Sequence, residues 1–460
     1  RAKMSVTATG QPYGRASHWS PGWVGRPVSS SRRCAAGIVA RLGWTAGLLL
    51  PPLRGGHRRP ARLNSMSSLR SVLLLCWRDT GHPQGGGSEA YLQRIGAQLA
   101  GSGIAVTLRT ARYPGAPRRE VVDGVRIVRA GGRYSVYVWA LLAMAVQEAG
   151  ARLGLPRLRR TRPDVVVDAQ NGLPFLARLV HGRRVVVLVH HCHREQWPVA
   201  GPVLGRVGWF VESKLSPWLN RRNQYLTVSL PSARDLVALG VADERIAVVR
   251  NGLDEAPAAS LSGPQAATPR VVVLSRLVPH KQIEDALEAV AELRRRRPGI
   301  PGLRLDIVGD GWWRQRLVDH VRSLGIADAV VFHGHVDDIT KHHVLQSSWV
   351  HVLPSRKEGW GLAVVEAAQH RVPTIGYRSS GGLSDSIVDG VTGILVDDRA
   401  ELVDRLGELL SDPVLRDQLG AKAQTRTGEF SWAQSATAMR GVLEAVQAGR
   451  LVSGLVGVGI

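Results

Sequence analysis

Cysteine, phenylalanine and lysine are scarce in this chain of 460 residues. Nowhere does it run for about 18 residues as uncharged apolar sequence, so no membrane-spanning helix is predicted. Three cysteines, Cys34, Cys76 and Cys192, are too few for a disulfide scaffold, which points to a reducing, cytoplasmic setting. Four phenylalanines, and six lysines among 60 basic residues, leave the positive charge almost wholly to arginine, as suits a GC-rich coding sequence. No Gly-Lys-Ser/Thr triplet occurs, which argues against a P-loop nucleotidase. Acidic residues are missing from the first 68 positions, which carry 11 bases, so +11 of the net +23 sits there and +12 is left for the rest. A basic surplus favours nucleic acid or anionic lipid. The plainer account, a solvated basic surface, is the favoured one.

What is present is globular. Apolar residues make up 44% and charged residues 21% of a length that implies two or three domains. Residues 1–65 mix Gly, Pro, Ser and Arg without a period, and Met66 precedes the first apolar run. They read as a disordered extension or as upstream sequence read in frame. Arg32-Arg33 before an apolar stretch faintly resembles a twin-arginine signal, but Arg41 interrupts that stretch. From residue 70 onward, Val-rich runs alternate with helical patterns. Strands are predicted at 72–75, 106–109, 126–128, 165–167, 185–189, 226–228 and 247–249, with helices at 90–100 and 136–149 between them. A Pro/Ala/Ser/Gly segment at 254–268 reads as a linker. The alternation then restarts, with strands at 271–274, 304–308, 330–332, 350–353, 374–376 and 394–396. The expected organisation is α/β: an N-terminal Rossmann-like domain at 66–253, a second at 269–425, and a C-terminal helix within 426–460 crossing back to the first. Ligands in such sheets bind beyond the carboxyl ends of the strands, so the loops after strands should line a shared cleft.

Three of those loops carry chemistry. Gly85-Gly86-Gly87-Ser88-Glu89 lies between the first strand and its helix, where a glycine backbone and helix N–H groups can approach a phosphate. A flexible turn with Ser88 as N-cap fits the same residues. Arg276 and Lys281, in Ser275-Arg276-Leu277-Val278-Pro279-His280-Lys281, suit a diphosphate as fork and point charge, or stand as two exposed charges. Pro354-Ser355-Arg356-Lys357-Glu358-Gly359-Trp360-Gly361-Leu362 puts one carboxylate on a loop, and Glu366 follows about 1.5 turns into the next helix. The pair fits sugar hydroxyls and a ribose diol beside a helix N-terminus. The plainer account is a capping acid and a surface Glu.

The third loop resembles the signature of the family 4 retaining glycosyltransferases of GT-B fold, also called group 1, in its Pro-Ser-x-x-Glu-Gly-x-Gly and its Glu-x7-Glu spacing. Ser275-Arg276-Leu277-x3-Lys281, Val308-Gly309-Asp310-Gly311, Phe332-His333-Gly334-His335-Val336, Ser380-Gly381-Gly382-Leu383 and Asp389-Gly390-Val391-Thr392-Gly393 follow in matching order. The resemblance spans roughly 70–440. It implies transfer of a hexosyl group from a nucleotide-diphosphate sugar to a hydroxyl acceptor, with retention, without a metal or other cofactor, in bacterial cell-envelope glycan assembly. It implies donor contacts from Gly87, Arg276, Lys281, Glu358, Gly359, Trp360, Gly361, Leu362 and Glu366. Lys281 and Arg276 would stabilise the leaving diphosphate. The absence of Asp-x-Asp agrees, since that motif belongs to the metal-dependent GT-A class. Three positions depart from the pattern: Trp312 replaces a usual Pro, Arg371 a usual helix-ending Gly, and Ser275 a common Gly.

His190-His191-Cys192-His193 follows the 185–189 strand. Adjacent residues point in different directions and no partner cluster is apparent, so a metal site is not expected. By resemblance a histidine here reaches the donor sugar or the reaction centre, His190 first and His191 in reserve. Asp168 and Asn171 sit on the same rim, as acceptor ligands or turn caps. Apolar residues recur at helical spacing from Val203 to Leu219, flanked by Arg206, Lys214, Arg221 and Arg222. Such a helix rests on an anionic membrane or packs on its own sheet. The basic run at 157–162 adds to the membrane reading, and a lipid-linked acceptor would place the protein peripherally on the inner face of the plasma membrane. Competing readings are a sugar-nucleotide epimerase on the same fold and a non-catalytic nucleotide-sugar or nucleic-acid binder. No specific nucleic-acid motif supports the last.

Overall fold

Runs of Val, Leu and Ile too short for helices form two sheets, each covered by helices on both faces. A computed structural model describes residues 69–258, 263–296 and 300–457. The readings of 1–65 and of Arg32-Arg33 lie outside the described residues.

The first sheet comprises β1 (Ser71–Leu75), β2 (Ala105–Thr110), β3 (Arg119–Val122), β4 (Val125–Arg129), β5 (Val165–Ala169), β6 (Val185–Val189), β7 (Gln224–Thr227), β8 (Ile246–Val248) and β15 (Gly454–Leu455). Its order is β15-β8-β7-β6-β5-β1-β2-β4-β3, parallel throughout except for the β3–β4 hairpin. The second comprises β9 (Arg270–Leu274), β10 (Arg304–Val308), β11 (Val330–Gly334), β12 (Val350–Leu353), β13 (Thr374–Tyr377) and β14 (Gly393–Val396), all parallel, in the order β11-β10-β9-β12-β13-β14.

Helices α1 (Gly87–Gly101), α2 (Ser135–Arg152), α3 (Pro156–Thr161), α4 (Arg178–His181), α5 (Pro202–Phe210), α6 (Ser216–Leu219) and α7 (Leu230–Ala238) belong to the first lobe. Helices α8 (Ile283–Arg296), α9 (Arg314–Ser323), α10 (Asp338–Ser347), α11 (Leu362–Ala368), α12 (Leu383–Ser386), α13 (Arg399–Ser411) and α14 (Pro413–Thr427) belong to the second. Their starts follow local chemistry. Asp337, Asp398, Asp412 and Ser431 each accept a backbone N–H with the side chain, and Pro413 opens α14 where its missing N–H costs nothing.

Helix α15 (Trp432–Gln447) returns to the first lobe and packs along α1. Its Met439, Val442, Leu443 and Val446 join Val72, Leu74, Val165 and Val186 in one core, which also takes in Trp360 and Val365 of the second lobe. The two lobes are thus parts of one compact unit. Lys357–Asp235 at 2.5 Å and Arg250–Asp385 at 2.9 Å span them as ion pairs.

Candidate active site

Loops after β1, β5 and β6 face the loops after β9 and β10 and the helix α11 across a cleft of about 1040 Å³. This is the carboxyl-end placement that open α/β sheets give their ligands.

On the first-lobe side, α1 starts at the glycine loop. Gly86 is the N-cap, and its N–H donates to Glu89 Oε2 at 2.8 Å. Ser88 is therefore not the cap; its hydroxyl donates to the same carboxylate at 2.9 Å. Glu89 is buried and also pairs with Arg78 at 3.0 Å. Gly87 abuts Leu362 of the opposite lobe, and Gly86 lies alongside the Arg276 guanidinium. The two loops singled out for phosphate chemistry therefore meet across the cleft.

On the second-lobe side, Arg276 is exposed in the cleft. Desolvation by the surrounding protein pulls its pKa down, the nearby Arg78 adds to this, and Glu89 and Glu358 oppose it. Lys281 makes an ion pair with Glu358, whose Oε1 also accepts from Ser355 Oγ at 2.7 Å. Burial disfavours the Glu358 carboxylate, but the Lys281 charge and the hydrogen bonds from Lys281 and Ser355 outweigh it, so Glu358 ionises below the ordinary carboxylate range. The backbone fixes the same loop: Glu358 N–H donates to Ser380 O at 2.9 Å, and Gly382 N–H to Glu358 O at 3.1 Å. Gly359 passes so close to the first lobe that a Cβ there would stand 2.7 Å from His190 O. Gly361, at φ 91°, caps α11 in a conformation glycine adopts without strain. Glu366, on α11, lines the cleft and accepts from Lys341 Nζ at 2.8 Å. Trp312 and Ser275, two departures from the family pattern, also line it.

The histidines divide. His190 is buried edge-on against Tyr91, with ring centroids 5.3 Å apart, and does not line the cleft. His191 takes the rim position instead, bonded through Nε2 to Gln196 at 2.8 Å and beside Gly359. Burial keeps His190 neutral, with a pKa near 3, and holds His191 well below its ordinary value. Cys192 turns into a separate core with Val187 and Val189. His193 returns to the cleft, its Nδ1 3.0 Å from Glu212 Oε1. Among the described residues no group of three His, Cys, Asp or Glu is placed to hold a metal ion.

Of the predicted donor residues only Arg276 and Glu366 line the cleft. Gly87, Lys281, Glu358, Gly359, Trp360, Gly361 and Leu362 do not, Lys281 and Glu358 being held in their mutual ion pair, and Asp168 also sits away from the lining. Asp168 is buried and caps its loop, Oδ1 accepting from Phe175 N–H at 2.9 Å and Oδ2 from Ala177 N–H at 3.0 Å. Of its two readings, the turn cap is the one the geometry matches. Burial pushes its pKa up to about 6 despite those amides. The Trp360 ring is buried against Phe430, 4.8 Å between centroids, and faces the core rather than the cleft. Asn171 does line the cleft, its Nδ2 donating to Ser88 Oγ at 3.3 Å.

Sequence reasoning missed three contributors. Arg78 lines the cleft and stacks on Trp77 at 4.1 Å; a Trp-Arg pair directly after the first strand was the available signal. Lys341 was marked only by the scarcity of lysine. Glu212 sits on a π-helical turn, Val211–Leu215, and accepts from His193 N–H at 3.0 Å, His193 Nδ1–H and Trp197 Nε1–H at 2.6 Å. In the neutral imidazole this bond puts the proton on Nδ1 and leaves Nε2 as an acceptor. Nothing in the sequence signals the π turn.

Residues 262–426 match the family described as Glycosyl transferases group 1, and residues 85–256 match Glycosyltransferase Family 4. A glycogen synthase of Mycobacterium tuberculosis is 31% identical over 352 residues, which span 72% of this chain and 82% of that protein. A GDP-mannose-dependent alpha-(1-6)-phosphatidylinositol monomannoside mannosyltransferase of the same organism is 29% identical over 372 residues, 76% of this chain and 92% of its own. The crystal structure of Anabaena HepE in complex with UDP and glucose superposes with a TM-score of 0.62 at 18% identity, covering 82% of this chain and all of that one (100%). The two facing parallel-sheet lobes are those of the GT-B fold. The chain belongs to the group 1, family 4 glycosyltransferases and is a hexosyltransferase.

Proposed function

We propose that this hexosyltransferase takes mannose, glucose or N-acetylglucosamine from a nucleotide-diphosphate donor, with retention and without a metal ion, and gives it to a hydroxyl of a lipid, glycan or small molecule. One observation carries the reading: Arg276 and Lys281 come together with the N-terminus of α1 on one side and Glu358 on the other. Departure of the sugar leaves new negative charge on the diphosphate. Two fixed cations and free helix N–H groups compensate it within the protein. Glu358, kept ionised by Lys281, accepts hydrogen bonds from sugar hydroxyls, and Glu366 accepts from the ribose diol. In a same-face attack the acceptor hydroxyl bonds to the anomeric carbon as the bond to phosphate breaks. Its proton passes to the departing phosphate oxygen, and configuration is retained. His191 and the His193–Glu212 pair lie on the acceptor side. The named activity of the mannosyltransferase relative, on a phosphatidylinositol monomannoside, supports a lipid-linked acceptor.

The test is a panel of UDP-, GDP-, ADP- and TDP-sugars with EDTA present, read first by thermal unfolding and then by turnover. A donor at 100 times its Kd stabilises by about 2.7 kcal/mol. Lys281→Ala and Glu358→Gln should each lose about 2–4 kcal/mol of transition-state stabilisation. Wild-type turnover by either variant, an inverted anomeric product, or activity only with added metal would overturn the reading.

A further inference from the structure

Around its buried core the first lobe carries helices whose bulky apolar residues point outward. Helix α5 seats on Trp197 through Gly205 and Gly208: a Cβ at Gly208 would fall 2.1 Å from Trp197 Cζ3. After it, the inward positions are Glu212, Ser213 and Ser216. Small and polar residues thus face the protein, while Val203, Leu204, Val207, Phe210 and Trp218 are each more than half exposed. The helix therefore does not pack on its own sheet by its apolar face. Helix α2 repeats the arrangement. Val136, Ala140 and Met144 face in, and Val138, Trp139, Leu142 and Val146 face out.

Both helices lie over the same sheet face. Val185 packs in the core under α2, and Val187 and Val189 of the same strand pack with Tyr225. Residues two apart on a strand share a face. The Tyr225 hydroxyl reaches Ser216 O of α6 at 3.4 Å. Of the 25 large apolar side chains exposed among the described residues, 14 fall between Tyr134 and Trp218. That concentration marks one layer of one lobe rather than scattered exposure.

The charge of this layer selects the occupant. Residues 133–222 hold 14 basic and 5 acidic side chains. Asp168 and Glu212 are buried, and Glu148 is held by Arg162. Arg178, Arg183, Arg221 and Arg222 crowd one another, and among the described residues none has a carboxylate partner. A second copy of this basic chain, or its own first 68 residues with 11 bases and no acid, would bring like charge to like. An anionic lipid surface supplies both what the apolar side chains and what the arginines lack.

We infer that the outward faces of α2, α5 and α6, rimmed by these arginines, dock the first lobe on an anionic membrane. Both helices start at the cleft: Arg133, just before α2, and His193 and Gln196, before α5, line it. Docking therefore sets the acceptor side of the cleft at the lipid surface. This deepens the proposed transfer to a lipid-linked hydroxyl, but binding is read without donor or acceptor, so the two readings fail separately.

The experiment is flotation of the full chain with vesicles of phosphatidylcholine alone and with about one third phosphatidylglycerol. The wild type should float with the anionic vesicles only, and less so as salt rises. Phe210→Glu and Trp139→Glu, both at exposed positions, should each weaken binding about tenfold or more while leaving the melting temperature unchanged. Arg221→Glu with Arg222→Glu should remove most of the salt dependence. Wild-type protein left in the soluble fraction would overturn the inference. So would binding that survives all these substitutions, which would move it to the basic N-terminal residues. Self-association abolished by Phe210→Glu without any vesicle binding would make the face a contact between copies.

Discussion

Arg371 shows how one side chain can stand against its backbone. It follows α11 at φ 60°, the left-handed conformation in which helices commonly end on glycine. A side chain there costs roughly 1 kcal/mol. The compensating contact is an ion pair with Asp417 at 2.8 Å, both partners about half exposed or more, and such pairs contribute little. Arg371→Gly should therefore stabilise the fold by about 0.5–1 kcal/mol, read as a raised melting temperature. A lowered one would mean that the Asp417 contact outweighs the strain. Glu358 presents the opposite case. Its burial alone would favour the neutral acid, and Lys281 and Ser355 reverse that.

At the scale of elements, the strand–helix alternation was legible because buried parallel strands need uninterrupted apolar runs, and Val165–Ala169 and Val185–Val189 supply them. Strand β3 escaped notice although Asp123-Gly124 marks its hairpin; both residues take positive φ, 49° and 79°, as a two-residue turn requires. Periodicity told correctly that 203–219 is helical and amphipathic, but not which face is inward. That depends on Trp197, whose ring fills the space a side chain on α5 would need. The loops that meet across the two lobes were likewise recognisable by motif, whereas the inward turn of His190 and Trp360 was not. Adjacent residues on a loop differ in direction, and only packing decides which one reaches the cleft. The seating of α5 is itself testable. Gly208→Ala should push against Trp197, which is pinned by its 2.6 Å bond to Glu212, and cost about 1–3 kcal/mol. Unfolding equilibria in denaturant check this, and an unchanged midpoint would mean that Trp197 swings aside freely.

Across the whole molecule, four buried histidines and the half-buried His280 give stability a pH dependence of predictable sign. His190, His280 and His351 are pulled down to about 3, and His342 and His370 to about 4, in every case chiefly by burial. They occupy both lobes, and His342 and His370 are bonded to each other at 2.8 Å. In the unfolded chain each titrates near 6.5. Between that value and 3 or 4 the unfolded state therefore binds more protons than the native state, so stability rises with pH and is lost as pH falls below about 6.5. Glu358, depressed in the fold, acts in the same direction at lower pH. Asp168, raised to about 6, acts against it, because the native state takes that proton first. Five groups against one decide the sum. The loss should reach roughly 1 kcal/mol per histidine one unit below the unfolded value. The melting temperature should accordingly fall steeply from pH 6.5 toward 4.5. His351→Gln should make the fall shallower, since among the described residues His351 has Thr374, at 3.0 Å, as its one side-chain partner. A melting temperature that stayed flat down to pH 4 would mean that these imidazoles take up protons inside the fold. The interior around the cleft would then be wetter than its packing implies, and the Lys281–Glu358 pair would be more strongly screened.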